Sequence, residues 1–341
     1  MHDLSENTIA ILLLCTNWSR SSDAAKSLSA HEFNCVMEWL ESGKNEPADL
    51  VGSKEVLERY QKQPLPGIEP GRLADLLDSG AGMSIQVEQW LNNGLWVLSL
   101  KDDDYPERLK TVLKKHAPPI LYGYGPTGLV SKGGIAVVGS RDVDEKRASI
   151  AETLSSSAAE NGISIISGGA RGVDQIAMQA AFSSGGAVVG VLAGDLGRVA
   201  LKGFMRDSIE MGNAALVSPY RPDAGFSVGN AMGRNRYIYA LSDVAVVVSA
   251  SNGKGGTWAG AVENLDKWHV PLYVVDQPDL PGNIQLIKKG GMPLPSEALL
   301  NPAVLIPDPT LKDEAEHPGK DDSAGTPVQL PLFNLKVDKH M

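Results

Sequence analysis

Short apolar runs rich in Val and Ile recur between residues 135 and 275, at 135–138, 163–166, 187–192, 215–217, 244–248 and 272–275. Each run is continuous rather than alternating, the pattern of a strand covered on both faces, and the segments between them are long enough for helical, right-handed crossovers. The spacing predicts an α/β fold, a Rossmann-like doubly wound sheet of mostly parallel strands. Few other chain patterns accommodate so many fully apolar strands.

Other patterns surround this block. Residues 1–90 carry apolar positions three and four apart (Val36, Trp39, Leu40; Leu73, Leu76, Leu77), broken by the turn cluster Pro64-Leu65-Pro66-Gly67, and read as a small helical N-terminal module. Residues 91–132 read as a lead-in segment: a strand at 96–100, a helix through Leu109 and Leu113, then a hinge at Pro118-Pro119 and the Gly-rich stretch 123–134. The Rossmann-like domain is expected over 133–276, a C-terminal extension over 277–306, and a mostly disordered tail over 307–341, whose stretch 308–326 is polar with almost no large apolar residue.

A net charge of −10 means that any nucleic-acid site must be a local patch, and the near-neutral segment 133–275 is the place to look for it. Two cysteines, Cys15 and Cys35, make neither a disulfide framework nor a multi-cysteine zinc site. The apolar run at 9–15 is too short to span a bilayer and lacks a preceding basic region, so no membrane association is expected and a cytoplasmic location is.

In an open α/β sheet, ligands lie beyond the carboxyl ends of the strands, where loops enter helix N-termini. Here those loops read Gly139-Ser140-Arg141, Ser167-Gly168-Gly169-Ala170-Arg171, and Gly253-Lys254-Gly255-Gly256-Thr257. Glycine permits close backbone approach, hydroxyls cap or donate, and the cations supply charge, so three such turns at one edge predict a phosphate-binding surface. For any single turn, glycine placed for packing is the plain alternative. A second basic cluster, Arg234-Asn235-Arg236, precedes a short helical run at 237–241, with an ion pair to Asp243 as its plain alternative. Arg198, Lys202 and Arg206 surround Phe204, a candidate for base stacking or simply for the core. No GxGxxG follows the first run, no GxxxxGK[ST] or GxSxG occurs, and the histidines form no HExxH set, so neither metal nor covalent catalysis is expected.

The turns at 138–141 (VGSR) and 167–174 (SGGARGVD), the segment 234–243 (RNRYIYALSD) and the turn at 255–261 (GGTWAGA) follow in the order of the DNA-processing protein A family, DprA or Smf, and the chain resembles that family over roughly residues 90–276. The resemblance implies single-stranded DNA held by Arg141, Arg171, Lys202 and the Gly255-Gly256-Thr257 turn, with Arg234, Asn235 and Arg236 positioning nearby loops. It also implies a homodimer, loading of a RecA-type recombinase in DNA uptake or recombination, and no metal or nucleotide cofactor. The chain departs from the family pattern at Ala200-Leu201, Ser218-Pro219, Met178, and the glycines of its GGTWAGA turn. The rival expectation is a nucleotide-binding sensor or phosphoribohydrolase-like enzyme using the same cleft. Such hydrolases carry a glutamate three residues after the turn's threonine, where this chain has Gly260, and its nearest acid is Glu263. In the tail, Gln329, Leu330, Leu332 and Phe333 resemble the QLxLF peptide that inserts into the replicative sliding clamp, and the alternative is that this segment docks back on its own chain.

Overall fold

The computed structural model describes residues 4–18 and 25–307. The tail with Gln329, Leu330, Leu332 and Phe333, and the side chain of Phe204, lie outside the described residues, and so do the expectations attached to them.

The apolar runs form strands, each at or within two residues of its expected position. Along the chain the strands are β1 (Trp96–Ser99), β2 (Ile120–Tyr124), β3 (Ile135–Val138), β4 (Ile165–Ser167), β5 (Val188–Val191), β6 (Ala214–Ser218), β7 (Val244–Val247), β8 (Leu272–Val274) and β9 (Met292–Pro293). They make one sheet in the order β1-β2-β6-β5-β4-β3-β7-β8-β9, parallel from β6 to β9 and antiparallel where β1 and β2 join its edge. From β3 the chain winds outward through β4, β5 and β6, then returns to place β7 on the other side of β3. That reversal is the switch point at which α/β sheets open a crevice.

Both faces of the parallel strands are covered. Ile135 and Val137 of β3 join Val244 and Val246 of β7 in one core layer, capped by helices Glu145–Glu160 and Val173–Ser183, while Ala136, Val138, Ala245 and Val247 face the layer capped by helices Glu107–Leu113, Val228–Leu241 and Gly256–Glu263. Successive residues of a strand point to opposite faces, so a run with no polar residue is what two covered faces require.

Residues 1–90 supply the expected helices. The run at 9–15 lies in helix Glu6–Cys15, whose residues Ala10 to Leu14 are buried all round against β1, β2 and helix Pro70–Leu77. The expected hinge takes a different form: residues 120–124 are strand β2 and Thr127–Lys132 is a helix. Gly123 is there for packing, because a Cβ at that position would stand 2.1 Å from the Trp96 ring and 2.6 Å from the Leu216 carbonyl oxygen of the neighbouring strand.

Candidate nucleic-acid interface

The loops after β3, β4 and β7 meet at the switch point, and hydrogen bonds join them. β3 ends at Gly139, where a Cβ would lie 2.5 Å from the Val173 side chain, so only glycine lets the turn pass so close to the next helix. Ser140 donates its N–H to Ser249 Oγ at 3.2 Å and accepts from Val173 N–H at 3.2 Å. Thr257 Oγ1 donates to the Gly139 carbonyl at 2.8 Å, joining the β7 loop to the β3 loop. Asn235 Nδ2 donates to the Gly256 carbonyl at 3.0 Å, fastening the helix Val228–Leu241 to the same turn. Gly253 and Gly255, at φ +71° and +86°, carry the chain through left-handed backbone on either side of Lys254.

Beneath this surface lie two buried groups of opposite charge. Arg234 is 5 % exposed and Asp174 6 %. A Cβ on Gly168 would fall 1.5 Å from Arg234 Nη1, so the glycine of the β4 turn makes room for the guanidinium. Asp174 accepts from the Ala170 N–H at 3.4 Å. Burial pushes its carboxyl up to about 6, against the opposing influence of Arg234 and of the backbone N–H groups of Ala170, Gly168 and Gly139. Burial likewise pulls Arg234 below the ordinary guanidinium range, and its Nε has no hydrogen-bond partner among the described residues. A buried cation with an unsatisfied donor beside an open cleft is an anion-receptive arrangement.

The cleft has a volume of about 410 Å³ and is lined by Gly139, Ser140, Arg141, Arg234, Asn235, Lys254, Gly255, Gly256 and Thr257, together with Asp174 and the apolar side chains of Val228 and Met232. Arg141 and Lys254 are exposed there and have no carboxylate partner among the described residues. Other expected site residues stand apart from its lining. Gly168 lies behind it against Arg234, and Gly169 follows in the same turn. Arg171 is ion-paired with Asp142 at 2.5 Å. Lys202 is exposed at the start of helix Gly203–Glu210, and Arg236 turns to the other flank of its helix. Neither Arg234 nor Arg236 pairs with Asp243, which binds Arg108 instead and accepts from Gly134 N–H at 2.8 Å. The sequence reading missed Asp174 as part of the cleft and the apolar wall of Val228 and Met232; spacing within the longer helix, which starts at Val228 rather than 237, was the signal available.

A doubly wound sheet with a cationic, glycine-lined cleft at its switch point defines a Rossmann-like α/β protein. The chain belongs to the DNA recombination-mediator protein A family, whose sequence model matches residues 96–298. The DNA processing protein DprA of Bacillus subtilis is 27% identical over 207 residues, 58% of this chain and 67% of that protein. Its Streptococcus pneumoniae counterpart is 32% identical over 182 residues, 52% of this chain and 64% of that protein. A Mycobacterium tuberculosis relative matches at 33% identity over 155 residues, only 40% of its own length. The X-ray structure of the S. pneumoniae protein superposes with a TM-score of 0.66, covering 88% of this chain and 98% of that one at 21% identity, a likeness of fold. A Helicobacter pylori DNA processing protein A, solved for its single-stranded DNA binding mode, covers 62% of this chain and 96% of its own at 26% identity and a TM-score of 0.52. Among the described residues no helix is long and apolar enough to cross a membrane.

Proposed function

We propose that the cleft binds single-stranded DNA through its phosphate backbone and that the protein acts in DNA uptake or recombination as a binding protein rather than an enzyme. The observation that carries this reading is the placement of Arg141 and Lys254, both without a carboxylate partner among the described residues, over the buried, unsatisfied Arg234. Phosphates would sit between the two exposed cations. Val228 and Met232 offer apolar surface to unstacked bases, with Phe226, 55% exposed, just before them in the chain. Duplex DNA presents no free base faces, so this wall favours a single strand.

The Helicobacter protein's single-stranded DNA binding supports the reading by kinship. Glu263, the acid nearest the Gly-Gly-Thr turn in sequence, pairs with Lys267 at 3.4 Å at the far end of the helix, which supports binding over nucleotide hydrolysis. Homodimer formation, a RecA-type recombinase and the sliding clamp are partners proposed from the family resemblance and the tail motif, and a cytoplasmic location goes with them.

Fluorescence anisotropy of a labelled oligonucleotide, single-stranded and then duplex, tests the proposal. The single strand should bind more tightly, its affinity should fall as salt rises, and Arg141→Ala should weaken binding and lower the salt slope by about one. An Arg141→Ala protein that binds as the wild type does would overturn it.

A further inference from the structure

Arg236 belongs to the basic cluster that marks the helix Val228–Leu241, yet the cleft does not use it. It lies less than one turn beyond Arg234. Its Nε donates to the Gly233 carbonyl at 3.0 Å, and its guanidinium carbon stands 5.9 Å from the centre of the Tyr237 ring. The flank it faces is built from two further elements that pack on this helix, Glu107–Leu113 with its following turn Lys114–His116, and the π-helical turn Asn264–Trp268.

Those turns bring more cations. Lys114, Lys115 and Lys267 are all exposed. The His116 ring meets Trp268 edge to face, with centroids 5.5 Å apart, so an aromatic pair stands among the basic groups. Burial, and then the charges of Arg236, Lys115 and Lys267, hold the His116 imidazole below its ordinary range. The carboxylates on these elements are Glu263, bridged to Lys267, Glu107, bridged to Lys110, and Asp266, which is exposed. In a chain of net charge −10, Lys114, Lys115 and Arg236, which have no carboxylate partner among the described residues, leave this flank locally positive, and their mutual repulsion raises the free energy of the unliganded protein. An incoming polyanion relieves that repulsion.

The geometry points to this flank as a second contact for the backbone of a DNA strand, taken up where the strand leaves the cleft across the helix Val228–Leu241. Arg234 at the cleft and Arg236 at the flank share one helix, and Tyr220, whose hydroxyl donates to the Asn230 carbonyl of that helix at 3.1 Å, lies within the influence of both charges. The track rests on the reading of the cleft as a DNA site. It assigns to Lys115, Arg236 and Lys267 phosphate contacts that a short ligand confined to the cleft never reaches, so strand length separates the two sites.

The test is anisotropy with two labelled oligothymidines, one of about 6 nucleotides, within a single groove's site size, and one of about 30. The double variant Lys115→Ala/Lys267→Ala should bind the long strand roughly tenfold more weakly, with the salt slope lower by about one for each lysine removed, and should bind the short strand as the wild type does. Arg141→Ala should weaken both. Both lysines are exposed, so an unchanged thermal melt will verify that the double variant is folded. Equal loss for the two lengths, or no loss for either, overturns the track while leaving the cleft standing. If the wild type binds neither strand, the cleft reading falls and the track falls with it.

Discussion

At the scale of single residues, the cleft depends on what lies just beneath it. Gly168 leaves the space that Arg234 fills, and Asp174 is the carboxylate facing that arginine from the first turn of helix Val173–Ser183. Because burial raises the Asp174 carboxyl from 3.8 to about 6, the folded protein holds this proton more tightly than the unfolded chain. Its contribution to stability is therefore full below the ordinary carboxylate value and is lost as the pH rises through about 6. The same protonation removes a negative charge beside Arg234. DNA affinity should rise as the pH falls from neutral through that value, by roughly threefold for one unit charge acting over about 6 Å at water-like dielectric. Asp174→Asn should remove this component, and an anisotropy series against pH on both proteins checks it. The motif SGGARGVD was legible as a turn, but the partnership of its glycine with an arginine sixty-six positions later was not, since it exists only once β4 lies below the helix Val228–Leu241.

At the scale of elements, the position of the β7 loop is set from behind. Asn283, fully buried in helix Pro281–Lys288, accepts from Ala250 N–H at 2.8 Å and donates to the Val248 and Val275 carbonyls at 3.0 and 2.9 Å. It satisfies backbone groups at the ends of β7 and β8 that have left the ladder. Asn283→Ala would leave three buried backbone groups without partners, a loss of about 2–4 kcal/mol. It should lower the urea midpoint and also weaken DNA binding, because the segment it holds leads directly to Lys254 and the Gly255-Gly256-Thr257 turn. The parallel strands were legible because covering both faces leaves no polar alternation. β2 was not, because the prolines just before it and the glycines in and after it resemble a hinge until Trp96 is seen lying over Gly123.

At the scale of the whole molecule, the N-terminal helices and the sheet share a core. Helix Glu6–Cys15 packs on β1 and β2, and Asp102 accepts from Ser5 Oγ at 2.6 Å, Thr8 Oγ1 at 2.5 Å and Ser99 N–H at 2.6 Å, so one carboxylate serves both segments. Residues 1–306 should therefore unfold in one cooperative transition, observable by calorimetry, and a separate early transition for residues 1–90 would contradict it. Local rules were enough to set the strand class, the glycine-rich loops that line the cleft and the family resemblance, because side-chain periodicity and glycine-rich turns act over a few residues. Which cations share a site was decided by tertiary structure alone. Arg141, Arg234 and Lys254 converge because strand order places β3 between β4 and β7, whereas Arg171 points outside the cleft lining, exposed beside Asp142, and Arg236 is turned away by the helical repeat. Neighbours in space, unlike neighbours in sequence, are set by the order in which the strands pair.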